Sequence, residues 1–283
     1  MLAPTDEHWP MSDILQKIIA HKREEVASLK RDRSLEQVRA AAQAQPVARP
    51  FAHALRNTRP RGTGRSVHII AELKLRSPSK GTFSWHGDVR RQVGDYESGG
   101  ARAISVVTDS EFFGGSVDLL QTVRATVGLP VLQKDFLIEP YQVYYARAVG
   151  ADAALLIASA LPGGQLEEMI GLAREIGLET LVEVVDPDEM ERANRGGARV
   201  IGVNNRDLRT FTVDTGRTMR LLPHCGDDQV LIAESGIHDR ETVVRMMAAG
   251  VDGFLVGEAL MTAPHPARML FSLRGETLSE AAS

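Results

Sequence analysis

The sequence predicts an α/β fold, a (β/α)8 or TIM barrel preceded by an extra N-terminal helical segment. From residue 67 onwards, short runs rich in Val, Ile and Leu recur eight times, and each is followed by a stretch with helical spacing. Near-continuous apolar runs are typical of strands buried on both faces of a parallel sheet. The phrases GGARAI and AGVDGFLV place glycine between a helix and the next strand, where a left-handed residue ends a helix. Eight such units indicate a barrel.

An open doubly wound sheet is the alternative fold. It usually has fewer units and a glycine-rich nucleotide loop after its first strand, and the motif GxGxxG does not occur in this sequence. The barrel interpretation predicts strands over 67–73, 102–107, 130–133, 152–158, 179–184, 199–204, 229–234 and 253–257.

The chain is expected to form a single domain over residues 1–283. Its expected parts are a loose tail (1–10), an N-terminal helix with a connecting loop (12–66), the barrel (67–273) and a second tail (274–283). Translation starting at Met1 or at Met11 is left open.

Within the N-terminal segment, Ser12-Asp13 is suited to cap a helix that runs from residue 13 to about residue 30. The apolar face of this helix comprises Ile14, Leu15, Ile18, Ile19 and Val26. The stretch 45–66 is rich in Arg, Pro, Gly and Thr, which favours a connecting loop. At the other end of the barrel, Met261 to Leu273 is expected to form the closing helix.

Composition argues against several classes of protein. The net charge of −4 gives no electrostatic reason to expect nucleic acid or an acidic membrane as partner. The sequence shows no signal-peptide pattern and no apolar run near the roughly 20 residues of a membrane helix, so a cytoplasmic protein is expected. Cys225 is the only cysteine, which excludes an intrachain disulfide, and the histidines form no HExxH motif. Neither a metal nor a nucleotide cofactor is expected.

Charged side chains stand at the carboxyl ends of the predicted strands, although charge is costly on a buried strand. Glu72 and Lys74 end the first strand, Lys134 follows the third, and Glu183 and Glu234 belong to the fifth and seventh. Active sites of (β/α)8 barrels lie at this end of the strands. A single such residue would be interpreted as a solvated loop residue or part of a structural ion pair. Their convergence predicts an acid–base site.

Two loops predict a phosphate site. Ser235-Gly236 and Gly257-Glu258 follow the seventh and eighth strands and precede helices. Small residues and helix amino ends offer backbone N–H donors, and this pair of loops frequently binds phosphate in barrels. Ordinary helix capping is the alternative interpretation. The expected partner is a phosphorylated small molecule, and protein partners are left open.

Eight motifs, taken together in their order and spacing, resemble the indole-3-glycerol phosphate synthase family over about residues 12–273. They are DILQKIIAHKREEV, IIAELKLRSPSKG, TDSEFFGGS, VLQKDFLIEPYQVYYARAVGADAALLI, LVEV, IGVNNRDL, IAESGI and FLVGEALM. The resemblance implies a carboxy-lyase of tryptophan biosynthesis that uses no cofactor. It would close the ring of 1-(2-carboxyphenylamino)-1-deoxyribulose 5-phosphate and release CO2 and then water.

The same motifs imply catalytic roles. Lys134 of QKDF resembles the general acid that protonates the ketone oxygen, and Glu183 of LVEV resembles the general base. Lys74 of ELK resembles the lysine that holds the ring carboxylate, and it is a candidate to assist the dehydration. Neighbouring cations or partial desolvation lower the pKa of a lysine, which would let it release a proton near neutrality.

The resemblance also implies substrate-binding residues. Ser77 and Arg206 are expected at the carboxylate end, and Phe113 and Phe136 against the aromatic ring. The full substrate-binding set is Glu72, Ser77, Phe113, Phe136, Asn204, Arg206 and Glu234. The phosphate would be bound, chiefly by backbone, by Ser235, Gly236, Gly257 and Glu258. The division of acid and base roles among the two lysines and the glutamates stays open.

Three other functions are consistent with parts of the sequence. Lys134 would serve a Schiff-base sugar-phosphate aldolase if its pKa were low enough. A non-catalytic barrel that binds a phosphorylated metabolite would have no use for Lys134 and Glu183 together. A barrel that isomerises phosphoribosyl anthranilate would be expected to carry a cysteine near the first strand, whereas Cys225 lies near the seventh.

Overall fold

A closed barrel of eight parallel strands forms the centre of the computed structural model, which confirms the predicted fold class. The structure describes residues 13–57, 65–78, 81–83, 87–207 and 210–276. In chain order the strands are β1 His68–Leu73, β2 Arg76–Ser77, β3 Gly81–Thr82, β4 Ala103–Val107, β5 Val131–Lys134, β6 Ala153–Ile157, β7 Glu179–Val184, β8 Val200–Asn204, β9 Val230–Glu234 and β10 Gly253–Val256. Strands β2 and β3 form a separate hairpin, and β10 pairs with β1 to close the barrel.

Helices connect the strands and cover the outside of the barrel. They are α1 Asp13–Asp32, α2 Leu35–Gln43, α3 Phe51–Leu55, α4 Val89–Ser98, α5 Val117–Thr126, α6 Pro140–Ala148, α7 Gln165–Glu175, α8 Pro187–Arg195, α9 Gly216–Leu221, α10 Arg240–Ala249, α11 Glu258–Thr262 and α12 Pro266–Arg274. Among the described residues, no helix combines the length and the apolar character needed to cross a bilayer. The predicted tail at 1–10, the Ser12 cap and most of the predicted tail at 274–283 lie outside the described residues.

Two predicted segments are wrong in detail. The stretch 45–66 is not all loop, because it contains the single-turn helix α3, whose Phe51 and Leu55 are buried. The closing helix is not continuous from Met261 to Leu273, because it is divided into α11 and α12. Pro264 disfavours helical backbone at the residue before it, and Ala263 accordingly has the extended backbone angles φ −72° and ψ 131°.

The apolar interior of the barrel is closed at both ends by the N-terminal segment. At the amino ends of the strands, Phe51 and Leu55 of α3 pack against interior side chains, and the Leu55 carbonyl is hydrogen-bonded to His68 at the start of β1. At the carboxyl ends, Leu15 and Ile19 of α1 join the same interior cluster. The N-terminal segment is therefore part of the barrel core.

Lys22 fixes α1 to the barrel through a buried ion cluster. Only 1% of its side chain is exposed, and its Nζ lies 2.8 Å from Asp135, 3.1 Å from Asp109 and 2.8 Å from Glu25. Burial lowers the pKa of Lys22, but the carboxylates of Asp135 and Asp109 raise it more, so the net shift is upward. Asp135 directly follows Lys134, and the cluster therefore connects α1 to the strand end that carries the predicted general acid.

Replacing Lys22 is expected to destabilise the fold strongly. Lys22→Met leaves the carboxylates of Asp109 and Asp135 buried without a cation, and the free energy of unfolding should fall by about 3–5 kcal/mol in urea denaturation. The control is Lys30→Met on the same helix, since Lys30 is exposed and pairs with Glu139 at the surface. That change should cost about 0–1 kcal/mol. Equal losses in the two variants would contradict the prediction.

Candidate active site

All the residues predicted for the site line one pocket at the carboxyl ends of the barrel strands. They are Glu72, Lys74, Ser77, Phe113, Lys134, Phe136, Glu183, Asn204, Arg206, Glu234, Ser235, Gly236, Gly257 and Glu258. The strands that carry them are far apart in sequence, and the closed parallel barrel brings their carboxyl ends together.

Lys134, at the end of β5, is the central cation of the pocket. Its Nζ lies 3.5 Å from Glu234 Oε2 and 3.7 Å from Glu183 Oε2. A second pair lies beside it, with Lys74 Nζ 2.6 Å from Glu72 Oε1. The three carboxyl groups are buried, whereas both lysines are partly exposed to the pocket. The arrangement offers cationic proton donors next to buried carboxyl groups.

The pKa of Lys134 is raised, so the expectation of a lowered lysine pKa is wrong for this residue. Burial lowers its pKa, but the carboxylates of Glu234, Glu183 and Glu72 raise it more. Sequence reasoning weighed desolvation and neighbouring cations, and it could not place three carboxylates around one amine. For Glu72, burial raises the pKa but Lys74 and Lys134 lower it more, so the net pKa is lowered. The site without substrate therefore has Lys134 protonated and Glu72 ionised.

Within the pocket, Glu234 is a carboxyl group whose pKa is raised towards neutrality. Burial raises its pKa to about 8, with repulsion from Glu183 and Glu72 acting in the same direction and attraction by Lys134 opposing it. Its Oε1 atom is buried and has no hydrogen-bond partner among the described residues. A carboxyl group in such surroundings holds a proton at neutral pH and is able to donate it.

Asn204 links Glu183 to the loop after β9. Its Nδ2 donates to Glu183 Oε1 at 3.2 Å, and its Oδ1 accepts from Ser235 Oγ at 3.0 Å. The Oδ1 atom also accepts from the Arg206 backbone N–H at 3.0 Å. These hydrogen bonds fix the orientation of the amide, and the amide in turn orients the Glu183 carboxyl group. Asn204 therefore acts as a support of the predicted base.

Apolar side chains form the opposite wall of the pocket. The rings of Phe113 and Phe136 lie 5.9 Å apart between centroids. Ile14, Leu15 and Ile18 of α1 also line the pocket, and sequence reasoning assigned them only to the apolar face of a helix. The sequence signal available for this packing was Lys22, because a charge on that apolar face indicates a helix that packs against a polar surface. The position of Lys22 in the sequence does not show which surface that is.

The loops after β9 and β10 differ in how they offer N–H donors. Ser235 and Gly236 both have left-handed backbone, with φ 63° and 80°, and α10 begins only at Arg240, where Asp239 caps it. Their N–H groups therefore belong to a loop and not to a helix end. Gly257 is the N-cap of α11 and makes no side-chain cap.

Gly257 and Glu258 lie next to other charged residues of the pocket. A Cβ atom at Gly257 would lie 2.5 Å from Glu72 Oε1, so the missing side chain makes room for that carboxylate. The Glu258 carboxylate lies 3.7 Å from Arg206 Nη2. A phosphate at this loop would therefore be bound by backbone N–H groups beside a paired carboxylate.

Fold and pocket together place the chain in the class of (β/α)8-barrel proteins with a charged pocket at the carboxyl ends of the strands. The family model for indole-3-glycerol phosphate synthase matches residues 15–273. An indole-3-glycerol phosphate synthase from Azoarcus sp. is 45% identical over 267 residues, which cover 94% of this chain and 100% of the relative. One from Albidiferax ferrireducens is 43% identical over 263 residues, with 93% and 98% covered. The chain belongs to the indole-3-glycerol phosphate synthase family, which makes it a carbon–carbon lyase of tryptophan biosynthesis.

A solved structure gives a likeness in fold alone. Thiamine phosphate pyrophosphorylase from Pyrococcus furiosus superposes with a TM-score of 0.56 at 18% sequence identity. The match covers 77% of this chain and 98% of that chain. The barrel architecture is therefore shared with a protein of different name.

The raised pKa of Glu234 predicts a pH-dependent stability. The pKa of Glu234 is about 8 in the folded state and about 4.3 in the unfolded chain. The stability that its proton contributes is therefore fully present below about pH 4.3 and is lost as pH rises towards 8. Between about pH 5 and 8 the free energy of unfolding should fall, relative to Glu234→Gln, by up to about 1.4 kcal/mol per pH unit.

Urea denaturation at several pH values measures this difference. Glu191→Gln is the control, because Glu191 is 71% exposed on α8 and its loss should leave the pH dependence of the wild type unchanged. If the free energy of unfolding changes with pH equally in wild type and in Glu234→Gln, the prediction that Glu234 holds a proton is contradicted.

Proposed function

We propose that this chain converts 1-(2-carboxyphenylamino)-1-deoxyribulose 5-phosphate to indole-3-glycerol phosphate, with Lys134 as general acid and Glu183 as general base. The family acts on a phosphorylated small molecule, and the particular assignment of residues is our proposal. The observation that carries it is the position of Lys134 Nζ. This atom lies within 4 Å of two buried carboxyl groups, in a pocket lined by charged and aromatic side chains.

Ring closure requires a proton at the ketone oxygen while the ring carbon attacks the carbonyl carbon. Lys134 supplies this proton, because the surrounding carboxylates keep it in the ammonium form. The carboxylate on the ring then leaves as CO2, and its electron pair restores the aromatic ring. The new hydroxyl group takes a second proton and leaves as water, and Glu183 removes a C–H proton to complete the indole. General acid–base catalysis of such steps is typically worth about 10²–10⁴-fold each.

We assign to Lys74 the binding of the substrate carboxylate. Its ammonium group pairs with Glu72 and lies 5.9 Å from the centre of the Phe83 ring. A substrate carboxylate would share this ammonium group with Glu72, and the aromatic ring would pack between the phenylalanines and α1. Lys74 also remains a candidate donor for the proton that the leaving hydroxyl group takes up.

The raised pKa of Lys134 argues against an aldolase mechanism. A lysine that forms a Schiff base must attack as the neutral amine, and such lysines have a lowered pKa. The carboxylates around Lys134 stabilise the opposite form. Borohydride in the presence of a keto-sugar phosphate should therefore trap no adduct on Lys134.

Lys134→Ala tests the general-acid role. The variant should lower kcat by roughly 10²–10⁴-fold, because Lys134 is the lysine that pairs with Glu183 and Glu234 in the part of the chain that the structure describes. The measurement is the rise of indole fluorescence from the carboxyphenylamino-deoxyribulose phosphate without added metal. Lys30→Ala, at the exposed surface of α1, is the control and should keep wild-type kcat. A loss below about tenfold in Lys134→Ala would remove Lys134 from this role.

Gly236→Ala tests the phosphate site. Gly236 has φ 80°, and an added Cβ would lie 2.5 Å from Val213 Cγ1, so the loop must shift and its N–H groups with it. We expect KM to rise about tenfold with kcat changed less than about threefold. The lost interaction binds the substrate and the transition state equally, so the chemical step itself is not affected. Gly177→Ala is the matched control, since Gly177 has φ 70° with open space around it. A KM equal to that of the control would contradict the assignment.

A further inference from the structure

Gly202 is an interior position of β8 that has no side chain. Residues alternate between the two faces of a strand, and Val200, two positions before Gly202, belongs to the interior cluster. A Cβ atom at Gly202 would lie 2.0 Å from Glu234 Oε1 and 3.3 Å from Leu181 Cδ1. The Glu234 carboxyl group thus occupies the space where a side chain at position 202 would begin. We call this space, bounded by Gly202, Leu181 and the Glu234 carboxyl group itself, the Gly202 slot.

The two oxygens of Glu234 have different surroundings. Oε1 points into the slot, is buried, and has no hydrogen-bond partner in the part of the chain that the structure describes. Oε2 lies 3.5 Å from Lys134 Nζ. The charged groups that face Glu234 are Lys134 from β5, Glu183 from β7 and Glu72 from β1. An apolar slot on one side and two further carboxyl groups nearby favour the protonated form of Glu234.

The proposed reaction needs two protons and returns one. The ketone oxygen takes the first at ring closure, and the hydroxyl group takes the second when water leaves. A C–H bond releases one as the indole forms, so each turnover consumes one proton, which balances the carboxylate charge that is lost with CO2. After ring closure Lys134 is a neutral amine. To donate the second proton as well, it must regain a proton inside a pocket occupied by the substrate.

We infer that Gly202 is a positioning residue, whose missing side chain keeps the Glu234 carboxyl group beside Lys134 as the proton store that reprotonates Lys134 during the catalytic cycle. The inference rests on the proposed function, because only that reaction requires the second proton. In this step the O–H bond of Glu234 breaks, an N–H bond forms on the Lys134 amine, and the electron pair stays on the carboxylate. Water returns the proton to Glu234 when product leaves.

The direction of this transfer follows from the electrostatics of the pocket. Glu183 and Glu72, joined by Glu234 once it has lost its proton, stabilise the ammonium form of Lys134, whereas burial penalises the charge of Glu234 and raises its pKa to about 8. Attraction between the new ammonium group and these carboxylates favours transfer from Glu234 to neutral Lys134.

Gly202→Ala tests the inference. The nearest atom to the new methyl group is the end of the flexible Glu234 side chain, so we expect the fold to be retained and the carboxyl group to move out of the slot into the pocket. Hydration then lowers the Glu234 pKa by about one unit or more. The ratio of variant to wild-type kcat should consequently fall by about fivefold or more between about pH 6 and pH 8, with KM changed less than about twofold.

Three further variants make the result specific. Gly171→Ala adds the same methyl group on α7 in open space and should leave kcat unchanged at every pH. Glu234→Asp shortens the side chain, so its carboxyl group no longer reaches the slot, and the same pH-dependent loss is expected even if Gly202→Ala fails to fold. Glu234→Gln assigns the Glu234 signal in carboxyl-selective ¹³C NMR titrations, which report its pKa without any reaction.

Each outcome decides the inference. A Glu234 titration that moves to lower pH in Gly202→Ala, together with the pH-dependent kcat ratio, supports it. If the Glu234 pKa is the same in Gly202→Ala as in wild type, Gly202 does not position the carboxyl group. If that pKa falls but the ratio of variant to wild-type kcat is equal at every pH, Glu234 is not the proton store. If the wild type forms no indole product, the proposed function fails and the store with it, while the NMR titration still decides whether Gly202 sets the position of Glu234.

Discussion

The cluster of Lys134 with three buried carboxyl groups is the interaction on which the site depends. One ammonium group faces Glu72, Glu183 and Glu234, and Lys74 adds a second positive charge at Glu72. Buried charges of this kind are expensive and contribute little to stability by themselves. The proposed reaction needs proton donors and acceptors that do not have to reorganise, and this cluster would supply them. The surplus of carboxyl groups also explains why Glu234 is the one that holds a proton.

The N-terminal segment makes this cluster possible by closing the barrel. Helix α3 fills the amino end of the interior, and α1 covers the carboxyl end beside the pocket. Lys22 then joins α1 to Asp135, the residue after Lys134. The helix that contributes to the apolar wall of the pocket is thus tied to the strand end that carries the proposed general acid. The contacts of α1 therefore close one end of the barrel, contribute to the apolar wall of the pocket and connect that wall to the strand end of Lys134.

Two glycines complete the site by leaving space. Gly202 makes room for the Glu234 carboxyl group, and Gly257 makes room for that of Glu72. Glycine inside a strand weakens it, and it often marks a close approach by another group. Here the approaching groups are the carboxyls of neighbouring strands. The positions of the acids are therefore set as much by absent side chains as by hydrogen bonds.

The sequence by itself determined the barrel, its eight strands to within about a residue at most ends, and the group of residues at its mouth. Strand runs, glycine helix ends and charged strand termini are local patterns, because each follows from the period and burial of one segment. The sequence patterns did not predict α3 or the break between α11 and α12, since a single turn and a proline-containing junction have weak periodicity.

Only the tertiary structure decided the electrostatics of the site. The pKa of Lys134 depends on carboxyl groups from β1, β7 and β9, and no local pattern gives their distances. The docking of α1 over the pocket and the fit of Glu234 against Gly202 are likewise contacts between distant segments. Residue types and order are local properties of a chain, whereas a proton's free energy depends on every charge and every water-free surface that folding brings near it.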